Sequence, residues 1–428
     1  MGESRDSYQR RVLDDELDEL MTGLAAIAVE GPKGVGKTAT ASRRAGSAYW
    51  LDDPTQREIA LADLDRLLVS PTPVLIDEWQ NVPAVWDRVR RAVDRQAPPG
   101  SFLLTGSASP KDTGTHSGAG RIASVRMRPL SLAERWPGEA KISLTELLKG
   151  RRPAIAGETE RRLGDYTEEI LRSGLPGIRI LPDRGRRAQL DSYLQRVVDR
   201  DFQELGYAVR NPEGLRRWLR AYAAATSSTA SYEKIRAAAL GVNEPPIARS
   251  TAIPYREALE RLFQLDPVPA WSPTGHQLKK VSLPEKHQLA DPALAARLLR
   301  VTADDLLLGK APKTLTPKDG GLLGAFFESL VTLSVRVYAQ AAEAEVNHFR
   351  TYRGDREVDL IVKGDSGRIL AVEVKLAAAP VEDAGVHLNW LERELGDTLL
   401  DKVIITTGPS AYRRADGVAV VPAALLGP

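Results

Sequence analysis

The feature that most constrains this chain of 428 residues is a glycine-rich loop near its start. The run Gly31-Pro-Lys-Gly-Val-Gly-Lys-Thr38 matches the pattern G-x-x-x-x-G-K-[ST] at every position. The loop follows an apolar run, residues 25–29, and precedes a stretch of helical character, residues 38–46. Its glycines let successive backbone N–H groups turn inward around a phosphate, where a side chain would not fit. The sequence therefore predicts a phosphate-binding cup between a strand and a helix.

The residues of this cup have distinct expected roles. The helix that begins near Lys37 adds the positive end of its dipole, Lys37 reaches the β and γ phosphate oxygens, and the Thr38 hydroxyl binds Mg²⁺. We expect the ligand to be ATP together with Mg²⁺. The expected nucleotide-binding residues are Gly31, Pro32, Lys33, Gly34, Val35, Gly36, Lys37, Thr38, Ala39 and Thr105.

An acidic pair, Asp77 and Glu78, ends the next apolar run about 40 residues after the loop. An acid at the end of a buried strand is costly unless it binds a cation, so Asp77 suits Mg²⁺. Glu78 can orient or deprotonate the water that attacks the γ-phosphate. The pair predicts ATP hydrolysis, with Glu78 and Lys37 as catalytic residues.

Two further groups each leave two interpretations open. Thr105 and Ser107 follow the third apolar run, either as sensors of the γ-phosphate or as ordinary turn residues. Arg121 follows a Gly/Ser/Thr loop at residues 110–120. It is either a solvated side chain or a third catalytic residue, a finger that stabilises transition-state charge in a neighbouring subunit of a homo-oligomer.

The alternation of short apolar runs with helical stretches predicts the fold class. Such runs form a parallel sheet covered by helices on both faces, so we expect an α/β fold. With 43% apolar and 27% charged residues the chain has the composition of a soluble globular protein, and its formal charge of +2 gives no global basic excess. The absence of cysteine excludes disulfides, thiolate metal sites and a cysteine nucleophile. Residues 1–20 are too charged for a signal peptide and no run of 18 apolar residues occurs, so we expect a cytoplasmic protein with no membrane partner.

Two segments near the C-terminus carry carboxylates at alternate positions. Glu357-Val-Asp359 and Glu373-Val-Lys375 each place polar side chains on one face of a strand, and the short link Gly364-Asp-Ser-Gly367 suits a hairpin. Asp359 and Glu373 would then converge on a second Mg²⁺ or Mn²⁺. Lys375 would lie beside them, and Glu328 on the preceding helix would complete the oxygen ligands. The alternative is a solvated sheet face with cross-strand ion pairs.

The middle of the chain has two helical stretches of helix-turn-helix size, residues 232–240 and 250–263, followed by a predicted wing at residues 278–283. Such an arrangement binds DNA, and nearby basic residues could contact its phosphates. The alternative is a helical linker domain. The basic residues are Arg249, Arg256, Lys279 and Lys280.

Several short motifs occur along the chain in the same order as in one known family. They are Gly31-Pro-Lys-Gly-Val-Gly-Lys-Thr38, Leu75-Ile-Asp-Glu-Trp-Gln80, Leu104-Thr-Gly-Ser107, Gly120-Arg121, Arg128-Pro-Leu-Ser-Leu-Ala-Glu134, Ser173-Gly-Leu-Pro176, Val197-Val-Asp-Arg-Asp201, residues 286–291 and the late Glu-Val-Asp and Glu-Val-Lys strands. The chain resembles a prokaryotic family of AAA-type P-loop ATPases with a C-terminal domain of unknown function. The resemblance covers nearly the whole length, with two departures: Leu132 and His287 stand where relatives carry aromatic residues.

The resemblance implies an ATPase core, a helical and winged-helix middle, and a C-terminal fold similar to PD-(D/E)xK nucleases. It implies binding of phosphate and Mg²⁺ by Lys37 and Thr38, and of metal and water by Asp77 and Glu78. The nuclease-like signature that it implies comprises Glu328, Asp359, Glu373 and Lys375. The predicted parts are an N-terminal helix (1–22), the ATPase core (23–140), a helical region (141–225), a winged-helix-like domain (226–308) and a nuclease-like domain (315–428).

The function that we expect from the sequence is ATP binding and hydrolysis coupled to action on DNA through the winged-helix and nuclease-like domains. Two other functions stay open. One is a nucleotide-gated switch in signalling or defence, whose nuclease-like domain binds a partner without catalysis. The other is a transcription regulator that binds DNA through the winged helix.

Overall fold

The computed structural model of the chain divides into two units. Unit 1 comprises Met1–Arg128, Arg200–Ala208 and Glu257–Gln264, and unit 2 comprises Pro129–Asp199, Val209–Arg256 and Leu265–Pro428. The structure describes residues 8–108, 119–207, 209–240, 247–273, 284–310, 321–352, 354–378 and 382–428.

Short and mostly apolar segments form the strands of both units. The strands are β1 (Ala26–Glu30), β2 (Ser47–Trp50), β3 (Val74–Asp77), β4 (Phe102–Gly106), β5 (Ala123–Arg126), β6 (Ile142–Ser143), β7 (Gly157–Glu158), β8 (Glu345–Arg350), β9 (Glu357–Lys363), β10 (Ile369–Val374), β11 (Leu399–Thr406), β12 (Ser410–Arg413), β13 (Ala419–Pro422) and β14 (Leu426–Gly427).

Several helices begin at a side chain that accepts a hydrogen bond from the first turn, as Asp53, Ser231 and Asp291 do. The helices are α1 (Val12–Leu20), α2 (Lys37–Ser42), α3 (Pro54–Ala62), α4 (Asp65–Leu68), α5 (Ala84–Asp94), α6 (Leu132–Arg135), α7 (Leu144–Leu148), α8 (Leu163–Arg172), α9 (Pro176–Arg179), α10 (Asp183–Arg196), α11 (Phe202–Glu204), α12 (Pro212–Ala224), α13 (Tyr232–Ala238), α14 (Arg249–Arg261), α15 (Pro292–Leu299), α16 (Ala303–Leu307), α17 (Gly321–Ala341) and α18 (Val386–Leu395).

Unit 1 is built around a five-stranded sheet in the order β2-β3-β4-β1-β5, in which every adjacent pair is parallel. The inner strands β3, β4 and β1 are almost wholly buried, because apolar runs of this kind are covered on both faces. Their side chains share a core with α5, where Ile76 and Leu104 cluster with Trp86 and Val89. The predicted α/β fold with a parallel sheet is confirmed.

The two edge strands, β2 and β5, are not foreseen in the sequence. Every residue of β2 is only half-buried, and β5 buries one residue of four, so neither carries the continuous apolar run that marks the inner strands. Short, polar edge strands are common because they discourage pairing with other chains.

The strand order brings three functional chain segments to one edge of this sheet. β4 lies between β1, which leads into the glycine-rich loop, and β3, which ends at Asp77. Thr105 is the fourth residue of β4. Since parallel strands end at the same edge, the loop, Asp77 and Thr105 are neighbours.

Unit 2 contains a mixed seven-stranded sheet in the order β7-β12-β13-β11-β10-β9-β8. Strands β9 and β10 form the antiparallel hairpin that the link Gly364-Asp-Ser-Gly367 predicts, with Leu370 opposite Val362 and Val372 opposite Leu360. A second core gathers apolar residues of this sheet and of α18, among them Ile361, Ile404 and Leu388.

Helix α17 runs through the core of unit 2. It is long and apolar enough by composition to cross a membrane, but 83% of its most apolar 18-residue window is buried inside the protein. A helix that is apolar all round and buried in this way is typical of a protein core.

The middle region contains α13 and α14 where the sequence predicts two helices, and α14 includes Pro254. The predicted wing at residues 278–283, with Lys279 and Lys280, lies outside the described residues, as does most of the loop 110–120. The domain boundaries drawn from the sequence stay predictions.

Candidate functional site

The glycine-rich loop has the backbone conformation of a cup. Gly34 and Gly36 have φ angles of 76° and 105°, values that favour glycine over residues with side chains. A Cβ atom at Gly31 would lie 2.2 Å from the carbonyl oxygen of Met127, so a side chain cannot be accommodated there. The glycines are thus required by the path of the loop and by its close approach to the end of β5.

Lys37 lies inside this cup with only 4% of its surface exposed. Its Nζ donates hydrogen bonds to the carbonyl oxygens of Gly31 at 2.9 Å and Pro32 at 3.0 Å. Burial lowers the pKa of Lys37 to about 8, although Glu78 and Asp77 act in the opposite direction. A buried cation held by neutral carbonyls is suited to a phosphate, whose charge would compensate the lost hydration.

Asp77 and its two hydroxyl neighbours form the second part of the site. Thr38 Oγ1 donates to Asp77 Oδ1 at 2.7 Å, and the Thr105 hydroxyl donates to the same oxygen. Burial raises the pKa of the Asp77 carboxyl, while these two hydrogen bonds oppose the shift. The expected metal ligands Thr38 and Asp77 are thus in direct contact, and Thr105 lies beside them.

Glu78 forms the third part of the site. Its φ of 50° is a left-handed conformation that non-glycine residues rarely adopt and that is concentrated at functional sites. Its carboxylate accepts hydrogen bonds from Ser107 Oγ, at 2.7 Å, and from the Gln80 side chain. The strained backbone and the two donors fix one orientation of the carboxylate.

The three parts open onto a cleft of about 860 Å³ in unit 1. Its lining combines the cup, the acidic pair and polar residues of the β2–α3 and β3–α5 connections. The lining residues are Lys33, Thr38, Trp50, Asp52, Asp53, Gln56, Arg57, Asp77, Glu78, Gln80, Asn81 and Glu204. The cleft gives the predicted site the volume that a small polar ligand requires.

Two basic residues tie the cup to other parts of unit 1. Lys33 Nζ lies 2.7 Å from Asp201 Oδ1 and 2.9 Å from Glu204 Oε2. Arg11, 4% exposed, donates to the carbonyl oxygens of Val35 at 2.9 Å and Arg128 at 2.7 Å. The loop is therefore held by residues both before and after the ATPase core predicted from the sequence.

The remaining residues predicted for this site lie at the surface of unit 1. Ala39 is exposed on α2. Arg121 is about half exposed and pairs with Asp94 at the end of α5, 2.8 Å away, while its guanidinium also donates to the carbonyl oxygen of Ala119. Arg121 therefore has an ion-pair partner within its own chain. Its role as a finger that stabilises transition-state charge stays a prediction.

The four C-terminal residues predicted to form a metal site are partly brought together, but around a different cation. Glu328, Asp359 and Glu373 are buried, so the two strand residues among them, Asp359 and Glu373, do not lie on a solvated sheet face. The Nζ of Lys286 lies 3.0 Å from Glu328 and 3.1 Å from Asp359. Among the described residues no group of three or more His, Asp and Glu side chains is placed to hold a metal ion. Lys286 thus lies among the carboxylates predicted to bind the divalent metal, and that metal stays a prediction.

Glu373 and Lys375 form an ion pair, with Lys375 Nζ 2.9 Å from Glu373 Oε2. The pair lies next to the cluster of Lys286, Glu328 and Asp359. Burial, followed by the charge of Asp359, raises the pKa of Glu373 to about 8. The Val374 amide between them donates to Asp359 at 3.0 Å. The end of β10 is thus in contact with the cluster, as the alternation of its residues predicts.

The basic residues expected to contact DNA are described only in part. Arg249 is largely exposed, 3.8 Å from Glu233, and Arg256 stacks over the ring of Tyr232 at 4.7 Å. His287 packs edge-on against both Tyr222 and Tyr232.

Three residues of these sites are missed by sequence reasoning. Gln80 lies within the quoted motif, and its spacing of two from Glu78 is a signal that could have identified it. Lys286 begins the quoted motif 286–291, but neither it nor Arg11 has a nearby partner that would indicate its role, because their partners are distant in sequence.

Three families match parts of the chain. The family described as an AAA domain matches residues 25–136, which contain the cup, the acidic pair and Thr105. Two families described as domains of unknown function, DUF8612 and DUF4143, match residues 163–305 and 323–426. Neither description names a winged helix or a nuclease, so neither prediction is confirmed.

Two uncharacterized proteins and one solved structure are similar to this chain. "Uncharacterized protein Rv2008c" of Mycobacterium tuberculosis and "Uncharacterized protein Mb2031c" of Mycobacterium bovis are each 25% identical over 434 residues, covering 97% of this chain and 84% of their own. Among solved structures, the "walker-type atpase paby2304 of pyrococcus abyssi" is similar with a TM-score of 0.41 and 16% identity, over 69% of this chain and 97% of that one. The AAA-domain match over residues 25–136 and the geometry of the cup support a P-loop ATPase domain and ATP binding.

Proposed function

We propose that this domain hydrolyses ATP, with Glu78 as the residue that activates water. The proposal rests on the orientation of the Glu78 carboxylate by Ser107 and Gln80, directly after the Asp77 carboxylate that contacts Thr38. A carboxylate fixed beside a phosphate cup can take a proton from water but cannot itself bind the phosphate, because both are negative. Its position suits catalysis better than ligand binding.

In the proposed reaction the oxygen of a water molecule attacks the γ-phosphorus while Glu78 accepts one of its protons. The bond from the γ-phosphorus to the β–γ bridging oxygen breaks, and ADP and inorganic phosphate leave. Lys37 holds the β and γ oxygens and stays protonated beside them. The Thr105 and Ser107 hydroxyls orient the acidic pair during the step.

Asp77 and Thr38 fit Mg²⁺ by the chemistry of their donors. A buried carboxylate oxygen and a hydroxyl in contact at 2.7 Å are the hard oxygen ligands that Mg²⁺ prefers. When bound with ATP, Mg²⁺ would neutralise phosphate charge. The raised pKa of the Asp77 carboxyl indicates that a cation there would stabilise its ionised form.

The test separates binding from hydrolysis. Phosphate release with Mg²⁺ and ATP should fall about 100-fold or more in Glu78→Gln, with the Kd for ATP changed less than threefold. Lys37→Ala should lose ATP binding itself. Glu58→Gln, a change to an exposed carboxylate on α3, is the matched control and should keep full activity. A Glu78→Gln protein that hydrolyses ATP at the parent rate would refute the proposal.

A nucleotide-gated switch is the second candidate, and the contacts of Lys33 favour it. Lys33 belongs to the cup, whereas its partners Asp201 and Glu204 lie beyond the segment that matches the AAA family. ATP would compete with these carboxylates for Lys33 and so alter the chain outside the ATPase domain. Light scattering with and without an ATP analogue would reveal a nucleotide-dependent homo-oligomer, the form in which Arg121 could act as a finger.

Action on DNA is a third proposal. ATP hydrolysis at the site in unit 1 would supply the energy for it. Incubation of the full chain with supercoiled plasmid, ATP and Mg²⁺ or Mn²⁺ tests it directly. Cleavage that disappears in Glu373→Ala would support the nuclease-like function. A sequence-specific footprint without cleavage would support the function of a transcription regulator. If the DNA is neither cleaved nor bound, the nucleotide-gated switch is the candidate that stays.

A further inference from the structure

A fully buried lysine lies among the carboxylates of unit 2. Lys286 is 0% exposed, and its Nζ lies 3.0 Å from Glu328 Oε1, 3.1 Å from Asp359 Oδ1 and 3.6 Å from Glu357 Oε1. It also donates to the Asp359 carbonyl oxygen at 3.2 Å. An ammonium has three N–H donors, and the two carboxylates and this carbonyl use all three.

The backbone fixes Lys286 in this place. Its N–H donates to the Val268 carbonyl at 2.8 Å and its carbonyl accepts from the Val268 N–H at 2.8 Å. The next residue, His287, donates to the Ser228 carbonyl at 2.9 Å. The backbone is thus held on both sides of Lys286, and the ammonium itself is fixed inside the core by its three hydrogen bonds.

The surroundings of Lys286 favour its charged form. Burial lowers the pKa of Lys286, but the three carboxylates outweigh it and raise the pKa well above its usual range. The same charge contributes to lowering the pKa of nearby His348 to about 4, after burial itself. A buried carboxylate pair without a cation would be strongly destabilised, so some positive charge is required at this point.

A divalent metal and this ammonium would compete for the same oxygens. Glu328 and Asp359 are two of the three carboxylates expected to bind Mg²⁺ or Mn²⁺, and both already accept hydrogen bonds from Lys286. A second cation this close to the ammonium would be strongly repelled by it, because like charges are poorly screened inside a protein.

We propose that Lys286 is the resident cation of the carboxylate cluster formed by Glu328, Glu357 and Asp359, and that it takes the place expected for a divalent metal. The carboxylate cluster of unit 2 is then paired with Lys286 and needs no metal ion. The proposal does not depend on ATP hydrolysis. Its consequence is specific: removal of the lysine charge exposes a divalent-cation site that the parent protein lacks.

The experiment counts Mn²⁺ bound to the full chain without nucleotide, by the electron paramagnetic resonance signal of free Mn²⁺. Lys286→Ala should hold one more Mn²⁺ per chain than the parent, at least tenfold more tightly than any parent site. Adding Asp359→Asn should remove the extra ion. Mn²⁺ bound near Asp77 occurs in every variant and cancels in the comparison.

Lys402→Ala is the matched control, because Lys402 is equally buried but pairs with one carboxylate, Glu392, at 2.6 Å. It should gain no Mn²⁺. A parent protein that binds Mn²⁺ and loses it in Asp359→Asn would overturn the proposal, and this comparison does not require the lysine variants to fold. A folded Lys286→Ala, verified by circular dichroism, that gains no ion would overturn it as well. Lys286→Gln, which retains most of the side-chain volume, repeats the measurement.

Discussion

At the scale of one residue, Lys37 is a buried cation in a position that favours the binding of an anion. Its ammonium is buried against the Gly31 and Pro32 carbonyls, which hydrogen-bond it without neutralising it. Burial therefore brings its pKa down to about 8. A bound triphosphate would supply the missing charge and raise the pKa again, so binding and protonation of Lys37 are linked.

This linkage predicts a pH dependence of ATP binding. Above pH 8 the free protein loses the Lys37 proton, which the complex must take up again, so the Kd should rise by up to about tenfold per pH unit. Below pH 8 Lys37 is charged in both states and this contribution is constant. Titration of a fluorescent ATP analogue between pH 7 and 9.5 measures the effect. Lys37→Arg keeps its charge throughout this range and should show no such rise, and a flat parent profile would contradict the prediction.

The sequence predicts those site residues whose role is set locally. The loop fixes Lys37 and Thr38 by spacing, and the end of an apolar strand identifies Asp77 and Glu78. It does not predict Lys286, whose partners Glu328 and Asp359 are separated from it by 42 and 73 positions. Such contacts depend on packing of distant segments, so a carboxylate pattern that suits a metal in the sequence is satisfied by a lysine in the structure.

At the scale of elements, one buried carboxylate joins two of the family motifs. Asp291 is 0% exposed and accepts from Ser173 Oγ at 2.6 Å and from the Gly174 N–H at 2.7 Å. It also caps α15 by accepting from the Ala293 N–H at 2.9 Å. A Cβ at Gly174 would lie 2.9 Å from the Leu130 amide nitrogen, so glycine is needed there. These motifs thus serve the fold of unit 2.

Removal of this carboxylate should therefore destabilise the protein without touching the ATP site. Asp291→Ala leaves two buried donors and a helix start without their acceptor, which costs about 3 kcal/mol. Asp291→Asn retains part of the cap and should cost less. Urea unfolding measures the loss, with ATP affinity of the folded fraction unchanged. Asp305→Ala, which removes a surface capping carboxylate at α16, is the control and should have a much smaller effect.

The predictability of elements follows their burial. The strands β1, β3 and β4 are apolar runs covered on both faces, and the sequence identifies each of them to within two residues. The edge strand β2 has a half-buried Ser-Ala-Tyr-Trp sequence, and its pairing with β3 rather than its composition makes it a strand. Pairing with a neighbouring strand thus determines an edge strand such as β2, which the local sequence pattern does not predict.

At the scale of the whole molecule, the chain passes from unit 2 to unit 1 within a single short element. Residues Val197–Asp201 form a π-helix, a rare conformation that is frequent at functional sites. Within unit 2, Asp199 pairs with Arg216 at 2.6 Å. Within unit 1, Asp201 pairs with Lys33 of the cup at 2.7 Å. Each end of the element is therefore tied to its own unit.

These ties predict that nucleotide binding loosens the π-helix. A triphosphate in the cup competes with Asp201 and Glu204 for Lys33, and each contact that the carboxylates lose removes a restraint on residues 197–207. Hydrogen exchange of this segment should accelerate at least threefold when a non-hydrolysable ATP analogue binds. In Lys33→Ala the segment should exchange fast with or without nucleotide, whereas Lys149→Ala, which removes a surface ion pair with Glu146, should behave like the parent. If nucleotide slows exchange of this segment, or if Lys33→Ala responds as the parent does, the coupling between the cup and this element does not run through Lys33.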